Sequence, residues 1–246
     1  MDDNIQKCGS RQVAAGLLAL GVFLGGFFPG YFYYRAKMDS NFVTVKGLSE
    51  MDVRADLAVW ELKFVVTGND LKTAQNEMNS QLGMILGFLK NMGFQQSEIT
   101  TGRIETNDLM ANPYRSGDAG NVRYILTQGV QVRSNNVDNV ARALNSTAVL
   151  ISKGVVFDSQ TYGSPVSYLF TKLNEIKPKM LEEATKNAQA AAAEFAKSSN
   201  SSVGRIRSAN QGVFSILPRD QTATAQEINQ IEKKVRVVAT VQYFLE

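Results

Sequence analysis

Residues 43–64 read VTVKGLSEMDVRADLAVWELKF, and the period of that stretch decides the fold class. Over 42–48 (FVTVKGL) apolar and polar residues alternate, the two-residue period of a half-buried strand. Residues 56–67 (DLAVWELKFVVT) repeat the pattern, with Ala58, Trp60, Leu62 and Phe64 on one face and Leu57, Val59, Glu61 and Lys63 on the other. The segment between them, SEMDVRA, is short and charged like a turn, so the two strands are expected to pair as a β-hairpin.

Beyond it the period lengthens. From Asp70 to Met92 the residues Leu71, Ala74, Met78, Leu82, Ile85, Leu89 and Met92 recur at three- and four-residue steps, while Lys72, Gln75, Asn76, Asn79 and Gln81 take the other face. That spacing predicts an amphipathic helix, capped by Asn69 or Asp70 and stopped at Gly93. Residues 98–107 and 122–133 predict two more strands, separated by NPYRSGDAGN (112–121), which has the composition of an exposed loop. A second helix is expected over 136–151, a strand over 154–163 and a third helix over 167–198.

Leu173, Ile176, Met180, Leu181, Ala184, Ala188, Ala191, Ala192 and Phe195 would form the buried face of that third helix. Pro178 must lie in its first turn or kink it. The alanines at 190–193 permit close backbone approach or a subunit contact. Residues 203–216 read as a strand broken by a turn, and 233–245 as a last strand. The order ββα, ββα, βα, ββ predicts an α+β fold of antiparallel hairpins packed with long amphipathic helices.

The N-terminal region is different. Val13 to Tyr34 holds 22 residues without a charge, about 33 Å of helix, enough for a hydrocarbon core of about 30 Å. Arg11 closes one end, Arg35 and Lys37 the other, and Tyr31, Tyr33 and Tyr34 sit where interfacial aromatics belong. No small-x-small cleavage site follows the run, so an uncleaved anchor is favoured over a signal peptide. The expected organisation is a short cytoplasmic tail (1–12), a transmembrane helix (13–34), a linker (35–41) and a soluble domain (42–246), with a subdomain boundary near 152 left open. Flanking charges barely discriminate orientation. The short tail and the cysteine-free C-terminal part favour a periplasmic soluble domain on a bacterial inner membrane. Gly21 with Gly25, and Gly26 with Gly30, form small-xxx-small pairs that allow membrane helices to pack.

Composition narrows the chemistry. The chain has no histidine and one cysteine, Cys8. That excludes every Ser-His-Asp or Cys-His arrangement and any intrachain disulfide. The formal net charge of +3 is not arranged as a basic tail or stripe, so nucleic acid is not an expected partner. No motif calls for a metal or another cofactor. The carboxylates Glu50, Asp52, Asp56, Glu61, Glu98, Glu105, Asp108, Glu182 and Glu183 are scattered and read as solvated surface. Met78 and Met92 fall on a core face, which argues against methionine-based oxidant scavenging.

The hairpin stretch 43–64, the block GVVFDSQTYG (154–163) followed by KPKMLEEATKNAQAAAAEFAKSSNSSVGRIRSANQGVFSI (177–216), and the ending KKVRVVATVQYFL (233–245) together resemble the SIMPL-domain family. The resemblance implies an extracytoplasmic α+β module, similar to an envelope antigen that forms ring-like homo-oligomers. It also implies a link to oxidative-stress defence in some relatives, to a signalling kinase for the animal namesake, and no catalytic residues to carry over. The membrane anchor and the insertion SPVSYLF (164–170) depart from the commoner secreted members.

The leading expectation is a non-enzymatic, membrane-anchored homo-oligomeric scaffold that supports stress resistance, with strand edges and the alanine helix face making the contacts. A second reading is a module binding an envelope polymer, protein or peptide. Asn210, Gln211, Phe214, Arg219 and Asp220 are its candidate ligand or subunit contacts, because amides, an aromatic and a charge pair cluster between strands there. A hydrolase working with carboxylates alone is the third.

Overall fold

The computed structural model describes residues 3–38, 41–111, 122–158 and 166–246. In chain order the elements are α1 (Asp3–Met38), β1 (Phe42–Arg54), β2 (Leu57–Gly68), α2 (Leu71–Asn91), β3 (Ile99–Asp108), β4 (Tyr124–Ser134), α3 (Val137–Asn145), α4 (Ala148–Ser152), β5 (Val166–Leu169), α5 (Leu173–Ser198), β6 (Val203–Gln211), β7 (Ser215–Pro218) and β8 (Glu232–Leu245). The fold is α+β with antiparallel sheets. One four-stranded sheet runs β3-β4-β2-β5; the other runs β1-β8-β6, with β7 also paired to β8.

The chain forms two compact units. Residues 1–49, 181–213 and 237–246 make the first, and residues 50–180 and 214–236 the second. Residue 152 lies inside the second.

The second unit is built on β2. Its inward residues Trp60, Leu62, Phe64 and Val66 stand opposite Val132, Val130, Gln128 and Leu126 of β4, and all eight are buried. The helix α2 covers this face with Ala74, Met78, Ile85, Phe88 and Leu89. Full burial of a side chain such as Ile85 or Leu89 contributes about 2 kcal/mol. The Asp70 side chain caps α2 by accepting from the Thr73 amide at 2.8 Å. Gly93, at φ +89°, takes the left-handed turn that ends it. Leu71 of the expected core face is exposed, and Phe88 takes its share of the burial.

The first unit is sealed by small residues. Met180, Ala184, Ala188, Ala192 and Ala196 of α5 recur every four residues and are buried, although Met180 itself falls in the second unit. Against this stripe lies Gly47 of β1. A Cβ built there would sit 1.8 Å from the Ala184 carbonyl oxygen and 2.6 Å from the Ala188 amide. Asn187 Nδ2 donates to the Leu48 carbonyl at 2.7 Å, and Ser49 Oγ to Glu183 Oε2 at 2.8 Å. Alanine and glycine thus let helix and strand backbones meet directly.

Several expectations are corrected. The strands read at 42–48 and 56–67 both exist but do not pair with each other: β1 lies beside β8, and β2 between β4 and β5. SEMDVRA is not a turn. It continues β1 to Arg54, with Ser49 buried and Glu50, Asp52 and Arg54 outward. The helix expected over 136–151 is two short ones, broken at Ser146–Thr147, where the Ser146 and Thr147 hydroxyls donate to the Arg142 and Leu144 carbonyls.

The third helix begins at Leu173 rather than 167, because Val166–Leu169 within SPVSYLF forms β5 on the edge of β2. Pro178 falls just past its first turn. Phe195 is 59% exposed, since the four-residue step from Ala192 buries Ala196 instead. The four-residue alanine stripe is therefore occupied inside the first unit, whereas Ala190 and Ala193 of the 190–193 cluster are exposed. Of the strand expected at 154–163, the described part pairs briefly with β2: the Val65 amide donates to Val156, Asp158 to Lys63, and Phe157 bridges Phe64. The loop 112–121 and residues 159–163 lie outside the described residues.

Candidate functional site

In the second unit, charged side chains collect where β1, β8 and the end of β7 run side by side. Strand alternation puts Glu50, Asp52 and Arg54 on one face of β1, and Glu232, Lys234 and Arg236 on the matching face of β8. The Lys234 ammonium lies 3.5 Å from Glu50 and 3.9 Å from Asp52, and Arg236 lies 3.6 Å from Glu50. Arg54 reaches Glu232 at 3.3 Å and pairs closely with Asp138 of α3. Arg219 holds Asp220 at 3.0 Å and Glu232 at 3.7 Å. Every charge in this ladder meets its opposite. Its members are solvated, so each pair adds little stability, and the arrangement fixes strand register rather than presenting a lone acid or base.

The carboxyls with perturbed titration point the same way. Hydrogen bonds from the Thr73 amide lower Asp70, those from the Arg123 guanidinium lower Asp108, and that from Lys186 lowers Glu182. Burial works to raise Asp56, but the Thr171 hydroxyl and amide, at 2.7 and 2.6 Å, outweigh it and hold that carboxyl below its ordinary range. A general acid at neutral pH needs the reverse shift. Asp56 instead ties the start of β2 to the chain that follows β5.

The residues singled out from the sequence fall in both units. Asn210 and Gln211 end β6 in the first unit, exposed, opposite Thr240 and Ala239 of β8. Phe214, Arg219 and Asp220 belong to the second. Arg219 and Asp220 are brought together within the ladder, and the Phe214 ring takes the Lys177 ammonium 5.9 Å from its centre. Gly21, Gly25, Gly26 and Gly30 lie on α1, and a Cβ at any of them would meet nothing within 4 Å. The apolar stretch Gly16–Tyr34 of that helix is long enough to span a membrane and is exposed along its whole length.

Two features of the first unit add to what the sequence pattern suggests. The strand β6 is exposed from Arg205 to Gln211, and it lies at the edge of its sheet. Its pairing with β8 slips between Val203 and Ser208 and then runs regularly from Ser208 to Gln211. Val213, just beyond, is 86% exposed. Near the start of β1 a shallow groove of about 430 Å³ is lined by Asn41, Phe42, Ser199, Asn200, Ser201, Leu245 and Glu246.

The two-sheet α+β architecture, with an alanine-striped helix over a strand glycine, runs from β1 to β8. The SIMPL family pattern, described as "Protein of unknown function (DUF541)", matches residues 43–243. The chain belongs to the SIMPL family. No curated protein matches it. The match begins one residue into β1 and ends two before the close of β8, so α1 stands outside the SIMPL region while both sheets lie within it. Within the SIMPL region β5 occupies part of the SPVSYLF segment and pairs with the edge of β2.

Proposed function

We propose that this SIMPL chain is a non-enzymatic scaffold of the bacterial envelope, anchored in the inner membrane by Gly16–Tyr34, with its soluble part in the periplasm. It assembles with copies of itself through the outer edge of β6 and in that form supports stress resistance.

The observation that carries this reading is the edge itself. Ser208–Gln211 hydrogen-bonds in register to β8 on one side, and no strand among the described residues covers the other. A row of unpaired backbone groups on a regular strand is a template for another strand. The exposed Val213 adds apolar surface to it. The irregular, arginine-bearing half of β6 limits pairing to this short stretch, which includes Asn210 and Gln211. The neutralised charge ladder and the lowered carboxyls support a structural role over a hydrolytic one.

The test is the mass of the full-length protein in mild detergent. A defined multiple of the chain mass is expected. Gln211→Pro should reduce it without unfolding the protein: Gly212 donates to Val238 of β8, so alternation turns the Gln211 amide away from β8, and proline there removes a donor from the open edge alone. A monomeric wild-type protein would sink the scaffold reading.

A further inference from the structure

The first unit's sheet has two unlike faces. Val45, Gly47 and Ser49 of β1 and Val237, Ala239, Val241 and Tyr243 of β8 turn to α5 and are buried. Alternation places Phe42, Thr44, Lys46 and Leu48 of β1 and Val238, Thr240, Gln242 and Phe244 of β8 on the opposite face. Ser208 and Asn210 of β6 stand opposite Gln242 and Thr240 and so share it. Across this face the Arg205 guanidinium lies over the Phe244 ring at 5.2 Å, and the Arg207 guanidinium over the Phe42 ring at 3.9 Å.

Lys46, Arg205 and Arg207 meet no carboxylate among the described residues, whereas Arg54, Arg219, Lys234 and Arg236 in the second unit are all paired. Glu246 lies over Gly204 at the margin of the face. The acids Glu182, Glu183 and Glu194 ride on α5, on the other side of the sheet, beside Lys186 and Lys197. The unit is thus basic on its open face and slightly acidic on its helix side.

This face is also tethered. Phe42 lies eight residues after Tyr34, the last residue of the apolar span. With residues 35–38 helical, those eight reach about 20 Å at most. Arg35 and Lys37 in the same short stretch add two more cations.

We infer that the open face of this sheet, with Arg205, Arg207, Lys46, Phe42 and Phe244, lies on the anionic lipid headgroups of the membrane that holds α1. The inference rests on the anchor reading above. Guanidinium groups offer paired N–H donors to phosphate oxygens while their planes stay stacked on the rings. Aromatic side chains favour headgroup depth. Each basic residue near an anionic surface adds roughly a factor of five to binding, and the tether makes the encounter intramolecular. Three cations are too few to hold a nucleic-acid duplex but enough to orient a domain already confined beside a bilayer.

The experiment uses the full chain carrying Cys8→Ser and Ser208→Cys, spin-labelled at position 208 and placed one chain per nanodisc. The discs are phosphatidylcholine alone or phosphatidylcholine mixed with phosphatidylglycerol. The readout is collision of the label with a neutral, water-soluble nickel chelate. Accessibility is expected to fall roughly fivefold or more in the anionic discs and to recover in high salt. Arg205→Gln with Arg207→Gln should lower the docked-to-free ratio roughly thirtyfold, and Lys46→Gln alone roughly fivefold, with unchanged thermal melting.

Equal accessibility in both disc types, with the chain incorporated, overturns the docking and leaves the anchor standing. Protection that appears in neutral discs only when two chains share a disc overturns it in favour of a second copy. Failure of the chain to enter discs overturns the anchor and the docking together.

Discussion

Gly47 has no room for a side chain, because the Ala184 carbonyl lies 1.8 Å from where its Cβ would be. Gly47→Ala should therefore push α5 off β1 and cost about 3 kcal/mol, at the upper end for overpacking. Gly83, in the middle of α2, is the opposite case: its Cβ would meet nothing within 4 Å. Gly83→Ala should stabilise by about 0.5–1 kcal/mol through helix propensity alone. Thermal melts of the two variants should move in opposite directions, and a neutral Gly47→Ala would show that the helix does not press on that strand. Asp56 gives a pH prediction. Its folded pKa is depressed by Thr171, so its stabilisation is present above the unfolded value of about 3.9 and is lost as pH falls through the folded one. Melting temperature followed downward from pH 5 should drop less steeply in Asp56→Ala than in wild type. Parallel acid limbs would remove Asp56 from the account.

At the scale of elements, the sequence revealed the strands but not their partners. Alternation in FVTVKGL and in DLAVWELKFVVT is a local property, and both became strands. Pairing is non-local, and β1 found β8, almost two hundred residues away. SEMDVRA looked like a turn because Glu50, Asp52 and Arg54 crowd it, yet those charges point outward and are matched by Lys234, Arg236 and Glu232. Nothing in one strand's sequence announces the cations on its neighbour. Lys233 was equally hidden. It occupies an inward position of β8, fully buried, and donates to the Glu227 carbonyl at 2.6 Å as well as pairing with the Glu227 carboxylate. Removing one partner of such a pair is worse than replacing the charge with an apolar group. Glu227→Ala should cost about 3 kcal/mol, and Lys233→Met distinctly less. Chemical unfolding of both variants reads the order directly, and a reversed order would mean that Lys233 is held by its packing rather than by Glu227.

For the whole molecule, the apolar run, the α+β class and the SIMPL resemblance were all legible, because each is a pattern over many residues. The candidate contacts were only partly so. Asn210 and Gln211 were marked out by composition, but their interest lies in an uncovered strand edge, which depends on where β6 falls in its sheet. Arg205, Arg207 and Phe42 carry no motif and meet only when strands distant in sequence are laid side by side. The membrane arrangement is testable with the chain's own chemistry, since Cys8 is its single cysteine and precedes the apolar helix. With the tail in the cytoplasm and the soluble part outside, a membrane-impermeant maleimide should leave Cys8 unlabelled in intact spheroplasts and label it after permeabilisation. In a Cys8→Ser background, Ser97→Cys, exposed in the second unit, should label in both conditions. Swapped patterns would invert the orientation and move the scaffold to the cytoplasmic side. Ser208→Cys, on the covered side of β6, should label slowly in the same spheroplasts, and adding salt then separates a lipid headgroup contact, which releases, from a strand-to-strand contact, which holds.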